Sequence, residues 1–136
     1  MPDREIATGV TLRYPYLWVR EAKRGETSGR KARPCVVAVR LPRPAGDLLI
    51  LFAITSKQPE PGREAVEIPR TEKIRGGLYA DMRLWIMLDE FNEDILGRSF
   101  HLTPDPPLGR FSNAFFLPVM RAFIARRRSA SGVNRR

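Results

Sequence analysis

Pro34-Cys35-Val36-Val37-Ala38-Val39-Arg40-Leu41 is followed, after Pro42-Arg43-Pro44-Ala45-Gly46, by Asp47-Leu48-Leu49-Ile50-Leu51-Phe52-Ala53-Ile54. Both runs are short, rich in aliphatic residues and bounded by Pro and Gly, which argues for strands over helices. The second is apolar almost throughout and should be buried on both faces. The five residues between them are a turn by composition.

Outward from this pair, Gly9 to Trp18 alternates (Val10, Leu12, Tyr14, Tyr16, Trp18) and reads as another strand, with Pro15 marking an edge or bulge. Residues 22–32 form a charged loop. On the C-terminal side, Glu64 to Ile68 is a short strand stopped by Pro69, and Thr71 to Arg75 makes one helical turn before Gly76-Gly77. Arg83 to Leu88 is a strong strand, Asp89 to Gly97 is polar and irregular, and Leu102 to Gly109, with three prolines, is loop. Phe111, Phe115, Phe116, Val119, Met120, Phe123 and Ile124 fall at helical spacing, so an amphipathic helix should end the domain. Ser112 or Asn113 is its N-cap, and Pro118 either kinks it or marks where its regular part begins. The expectation is a mainly β (α+β) domain over residues 1–128, a small curled β-barrel with one packing helix, and a disordered basic tail over residues 129–136.

The 136 residues carry 24 Lys and Arg against 15 Asp and Glu, a formal charge of +9. Residues 13–43 hold nine basic and two acidic side chains, whereas residues 58–105 hold six and ten. The positive face therefore belongs to the N-terminal third, and a clustered basic face attracts a polyanion, most commonly nucleic acid. Cys35 is the only cysteine, which rules out an intrachain disulfide or a zinc cluster; among valines it reads as a small buried hydrophobe. The N-terminus lacks the build of a signal peptide, and no apolar run approaches the roughly 20 residues of a membrane span, so a cytoplasmic protein is expected. There is no phosphate-binding P-loop, no His/Cys metal spacing and no nucleophile elbow. Asp89, Glu90, Glu93 and Asp94 are irregularly spaced and read as a solvated acidic patch, so neither metal nor cofactor is expected.

The chemistry-bearing residues cluster around the central strands. A loop, Gly25-Glu26-Thr27-Ser28-Gly29-Arg30-Lys31-Ala32, delivers Arg33 onto the start of one strand, and the next strand ends in Thr55-Ser56-Lys57-Gln58. A guanidinium offers two-point contacts to phosphate oxygens and is charged at any physiological pH. When a 2′-hydroxyl attacks phosphorus, charge builds on the non-bridging oxygens, and a fixed Arg33 there stabilises the transition state more than the ground state. Thr55 is placed to donate to the same phosphate, with Ser56, Lys57 and Gln58 beside it and Arg30 and Lys31 contributing charge to RNA. An arginine at a strand edge and hydroxyls at a strand end are each ordinary alone. A general base is harder to find. His101, the only histidine, reads as structural; Glu26 is the better candidate if burial raises its pKa, although a solvated loop glutamate is the commoner case.

These parts together resemble the MazF/PemK (Kid) family of toxin endoribonucleases. Gly9, the strand through Trp18, Gly25-Glu26, Arg33-Pro34-Cys35-Val36-Val37, Ile54-Thr55-Ser56, Gly77-Leu78 and the strand Leu84 to Asp89 follow the family's pattern over most of residues 9–92. The loop from Glu26 to Arg33 is longer than typical, and Glu90-Phe91-Asn92-Glu93-Asp94 replaces a basic, leucine-bearing segment, which points to a divergent PemK-like branch. The resemblance implies an SH3-like barrel of the MazF/Kid/CcdB type, with Arg33 and Thr55 as the catalytic pair. It implies a homodimer that cuts single-stranded RNA without a metal, and a cognate antitoxin that lays a flexible acidic segment over the same groove. Two rivals remain at this level: a same-fold toxin that poisons a protein such as DNA gyrase, and a non-catalytic nucleic-acid-binding module.

Overall fold

In a computed structural model, which describes residues 6–27, 31–99, 101–102, 105–127 and 130–135, the two central runs form β2 (Arg33–Leu41) and β3 (Leu48–Thr55). They pair antiparallel, and around them run β1 (Val10–Tyr14), β4 (Ala65–Glu67), β5 (Trp85–Met87), β6 (Glu90–Ile95), β7 (Gly109–Arg110) and β8 (Ser131–Asn134). The main path is β4-β5-β3-β2-β1-β7. β3 divides its free edge: Leu48 to Leu51 pair with β6, while Ile54 and Thr55 pair with β5. The result is a curled, mainly antiparallel sheet with a C-terminal helix.

The alternation of β2 and β3 creates two cores. Val36, Ala38, Phe52 and Ile54 face α3 (Asn113–Arg126), whose Phe116, Val119, Met120 and Phe123 cover them. Cys35, Val37, Leu51 and Ala53 point the other way and meet Leu12, Tyr14, Tyr16 and Trp18. Covering β3 on both sides is why its sequence shows no polar alternation. Ser112 caps α3 by accepting the Phe115 N–H at 3.2 Å. Pro118 lies inside the helix and forfeits a backbone bond, but the four buried side chains of the same helix hold it against the sheet.

Three expectations need correcting. β1 stops at Tyr14, and after Pro15 the chain runs through Tyr16–Trp18 into a short helix, α1 (Val19–Ala22), rather than continuing as strand. The polar segment after Asp89 is a strand, β6, and its Glu90, Asn92 and Asp94 are buried, not solvated. Each is satisfied: Tyr14 Oη donates to Asp94 at 2.6 Å, Tyr16 Oη to Glu90 at 3.2 Å, and Asn92 makes both an accepting and a donating bond to the Leu17 backbone. Polar residues face inward on β6 because the strip it covers offers hydroxyls and free backbone groups.

The tail is the third correction, since residues 131–134 form β8, parallel to β6, with Val133 buried. Arg135 then closes the fold. It donates to the Pro15 carbonyl at 2.8 Å and to Asn92 Oδ1 at 3.1 Å, lies against the His101 ring and sits over the Tyr14 ring. A lone arginine, buried and fully engaged, makes this segment ordered where composition argued otherwise.

Candidate active site

The site begins with strand register. Cys35 stands opposite Ala53, and continuing that register two residues further carries Arg33 toward Thr55. Arg33 shares a face with Cys35, and Thr55 with Ala53, so both side chains continue the Trp18-containing core beyond its apolar limit. They line one open cleft of about 380 Å³ together with Trp18, Arg20, Lys31, Ser56, Lys57 and Gln58. Thr55 Oγ1 accepts the Lys57 N–H at 3.1 Å, which turns the chain after β3 and leaves the threonine O–H available to donate.

Trp18 organises the cations. Its backbone N–H donates to Glu21 Oε1 at 3.0 Å, which fixes the start of α1 and with it Arg20. The guanidinium carbons of Arg20 and Arg33 lie over the Trp18 ring, 5.0 and 5.1 Å from its centroid. Such contacts hold an arginine in place by about 0.5–1 kcal/mol while leaving its N–H edges uncommitted. Among the described residues, Arg20, Lys31, Arg33 and Lys57 make no ion pair, and Nε of Arg33 is buried with no hydrogen-bond partner.

Arg63, also on the cleft wall, differs. It makes a two-point pair with Asp89 and reaches Glu90 Oε2 at 3.1 Å. The hydrogen bond that Arg63 donates to Asp89 raises the arginine's pKa further, and burial pushes the Glu90 carboxyl above its ordinary range. Glu90 Oε1 in turn accepts the Tyr16 hydroxyl and, at 3.0 Å, the Val19 N–H. This network supports Trp18 and α1 from behind, so Arg63 acts as a strut and not as a free charge.

Of the residues expected from sequence, Arg33, Thr55, Lys31, Ser56, Lys57 and Gln58 come together in the cleft. Glu26 does not line it; its N–H bonds to the Glu21 carbonyl at the end of α1. Arg30 lies outside the described residues. The carboxylate that does line the cleft is Glu60. Trp18, Arg20, Glu60 and Arg63 were not singled out from sequence. The basic run from residue 13 contained Arg20, but the bend that brings α1 over Arg33 has no local signature.

Cys35 is fully buried, and burial pushes its thiol well up, which suits a packing role. Among the described residues no group of three or more His, Cys, Asp or Glu side chains is placed to hold a metal ion, and no helix is long and apolar enough to cross a membrane. Compared with protein-family models, curated proteins and solved structures, the chain finds no match.

Proposed function

We propose that the protein is an endoribonuclease that cleaves single-stranded RNA through the 2′-hydroxyl, the toxin half of a toxin–antitoxin pair. One observation carries this reading: Arg33 and Thr55 line one cleft, in line with the β2–β3 register, and among the described residues Arg20, Lys31 and Lys57 beside them make no ion pair. In the proposed step the 2′-oxygen bonds to phosphorus as its proton passes to a base. The bond to the 5′-oxygen breaks, and that oxygen leaves with a proton, giving a 2′,3′-cyclic phosphate and a 5′-hydroxyl. Arg33 holds the non-bridging oxygens as charge develops, and the Thr55 hydroxyl donates to the same group. Arg20, Lys31 and Lys57 hold the flanking phosphates. With Glu26 outside the cleft, the base role falls to Glu60 in this reading.

The homodimer and the antitoxin rest on the resemblance to the MazF/PemK family. The unpaired cations support an acidic antitoxin segment as much as RNA, since one basic surface attracts either. A second reading, RNA binding without cleavage, is favoured by the absence of Glu26 from the cleft. Purified protein incubated with a long single-stranded RNA in EDTA separates the two. Discrete cuts that vanish in Arg33→Ala and Thr55→Ala are expected; intact RNA with folded protein would sink the nuclease.

A further inference from the structure

Arg33, Lys31 and Ser56 also line a second hollow of about 340 Å³, which Trp18, Lys57 and Gln58 do not line. Its lining also includes Leu78, Tyr79 and Met82. Tyr79 is 77% exposed and has neither a ring contact nor a hydrogen bond among the described residues. Met82 in the same hollow is also exposed, so the two side chains form an open apolar patch, the kind of surface that marks a binding site.

The segment that carries Tyr79 is nonetheless held firmly. Gly77 adopts φ +67°, and a Cβ there would stand 2.1 Å from the Leu108 carbonyl oxygen, so only glycine lets the two chains meet. Leu78 N–H bonds to the Lys73 carbonyl at 2.9 Å, and Lys73 Nζ donates to the Met82 carbonyl at 2.6 Å. The backbone on both sides of Tyr79 is thereby tied to α2 (Arg70–Arg75). A fixed loop presents an uncovered ring in the hollow that Arg33 also lines.

We infer that this hollow is a nucleobase subsite, in which Tyr79 stacks on an unpaired base of the RNA strand whose phosphate lies at Arg33. The inference rests on RNA as the ligand of the neighbouring cleft, and it holds whether or not the RNA is cut. Continuity argues for a base as the occupant: in a polynucleotide every phosphate carries a base within one sugar's length, and the two hollows share Arg33. Stacking on an aromatic side chain requires a base out of its duplex, so the subsite accounts for a single-strand preference by shape alone.

The test uses short RNAs with 2′-O-methyl riboses, which cannot be cut, each carrying one 2-aminopurine at successive positions. One position should be quenched on binding. Tyr79→Ala should abolish that quenching and weaken binding roughly tenfold or more, while Tyr79→Phe keeps both. Tight, salt-sensitive binding that is indifferent to Tyr79→Ala would overturn the subsite and leave the RNA reading intact. No binding by the wild-type chain would overturn both. A change of oligomeric state in Tyr79→Ala, seen by sedimentation, would assign the hollow to a subunit contact instead.

Discussion

The four unpaired cations of the cleft make a quantitative prediction about salt. Arg20, Lys31, Arg33 and Lys57 line the cleft and have no carboxylate partner among the described residues, so each can replace a counterion on a phosphate. Single-stranded nucleic acid gives a log–log slope of about −0.7 per phosphate neutralised, so four contacts give about −2.8. Between roughly 50 and 200 mM salt the affinity should fall about 50-fold. Lys57→Ala removes one contact; the slope should shallow to about −2.1 and the same salt step should cost only about 18-fold. Arg33→Ala should shift the slope equally and weaken binding further, because its guanidinium is held by Trp18 and loses little freedom on binding. Arg121→Ala removes the same charge from the exposed face of α3 and should leave the slope alone. The assay is fluorescence anisotropy of an end-labelled, 2′-O-methylated RNA in EDTA across a salt series. Equal slope changes for Lys57→Ala and Arg121→Ala would refute the reasoning, because net charge and not the cleft would then govern binding.

Two further predictions concern the ordered C-terminus. Arg135→Ala deletes charge-assisted bonds to the Pro15 carbonyl and Asn92, so it should destabilise the fold by about 3 kcal/mol in urea unfolding, against less than about 0.5 kcal/mol for exposed Arg127→Ala. Similar midpoints for the two would mean that β8 is not held by Arg135. His101 sits beside Arg135, with Asp94 and Tyr14 nearby, and burial followed by the Arg135 charge lowers its pKa. The unfolded chain therefore takes up the proton first as pH falls, so stability present above about pH 6.5 declines through the lowered folded value. His101→Asn should flatten that decline in urea midpoints measured between pH 7 and 5, and an unchanged profile would count against the contact.

Much of the fold was legible because it follows from local pattern. The two apolar runs, the helical turn before Gly76-Gly77 and the phenylalanine spacing of α3 each depend on residues a few positions apart. β6 and β8 were not legible. Glu90, Asn92 and Asp94 became inward-facing because Tyr14, Tyr16 and Leu17, more than 70 positions away in sequence, supply their partners. Composition places Arg135 in a disordered basic tail because its partners are similarly distant, Pro15 lying 120 positions away.

For the site, the sequence by itself determined the residue types: an arginine at the start of one strand, hydroxyls at the end of the next, and surplus positive charge beside them. Only tertiary structure decided which hydroxyl faces the arginine. Near the turn Leu41 pairs with Leu48, and continuing that register would place Arg33 across from Ser56. A bulge between Val37 and Val39 shifts the pairing by one residue, and Thr55 takes the place instead. Because side chains alternate between faces at every residue, that single extra residue in β2 selects which hydroxyl shares a face with Arg33. The bulge, the fold of α1 over Arg33 and the retreat of Glu26 from the cleft depend on packing between distant segments, which residue order alone does not display.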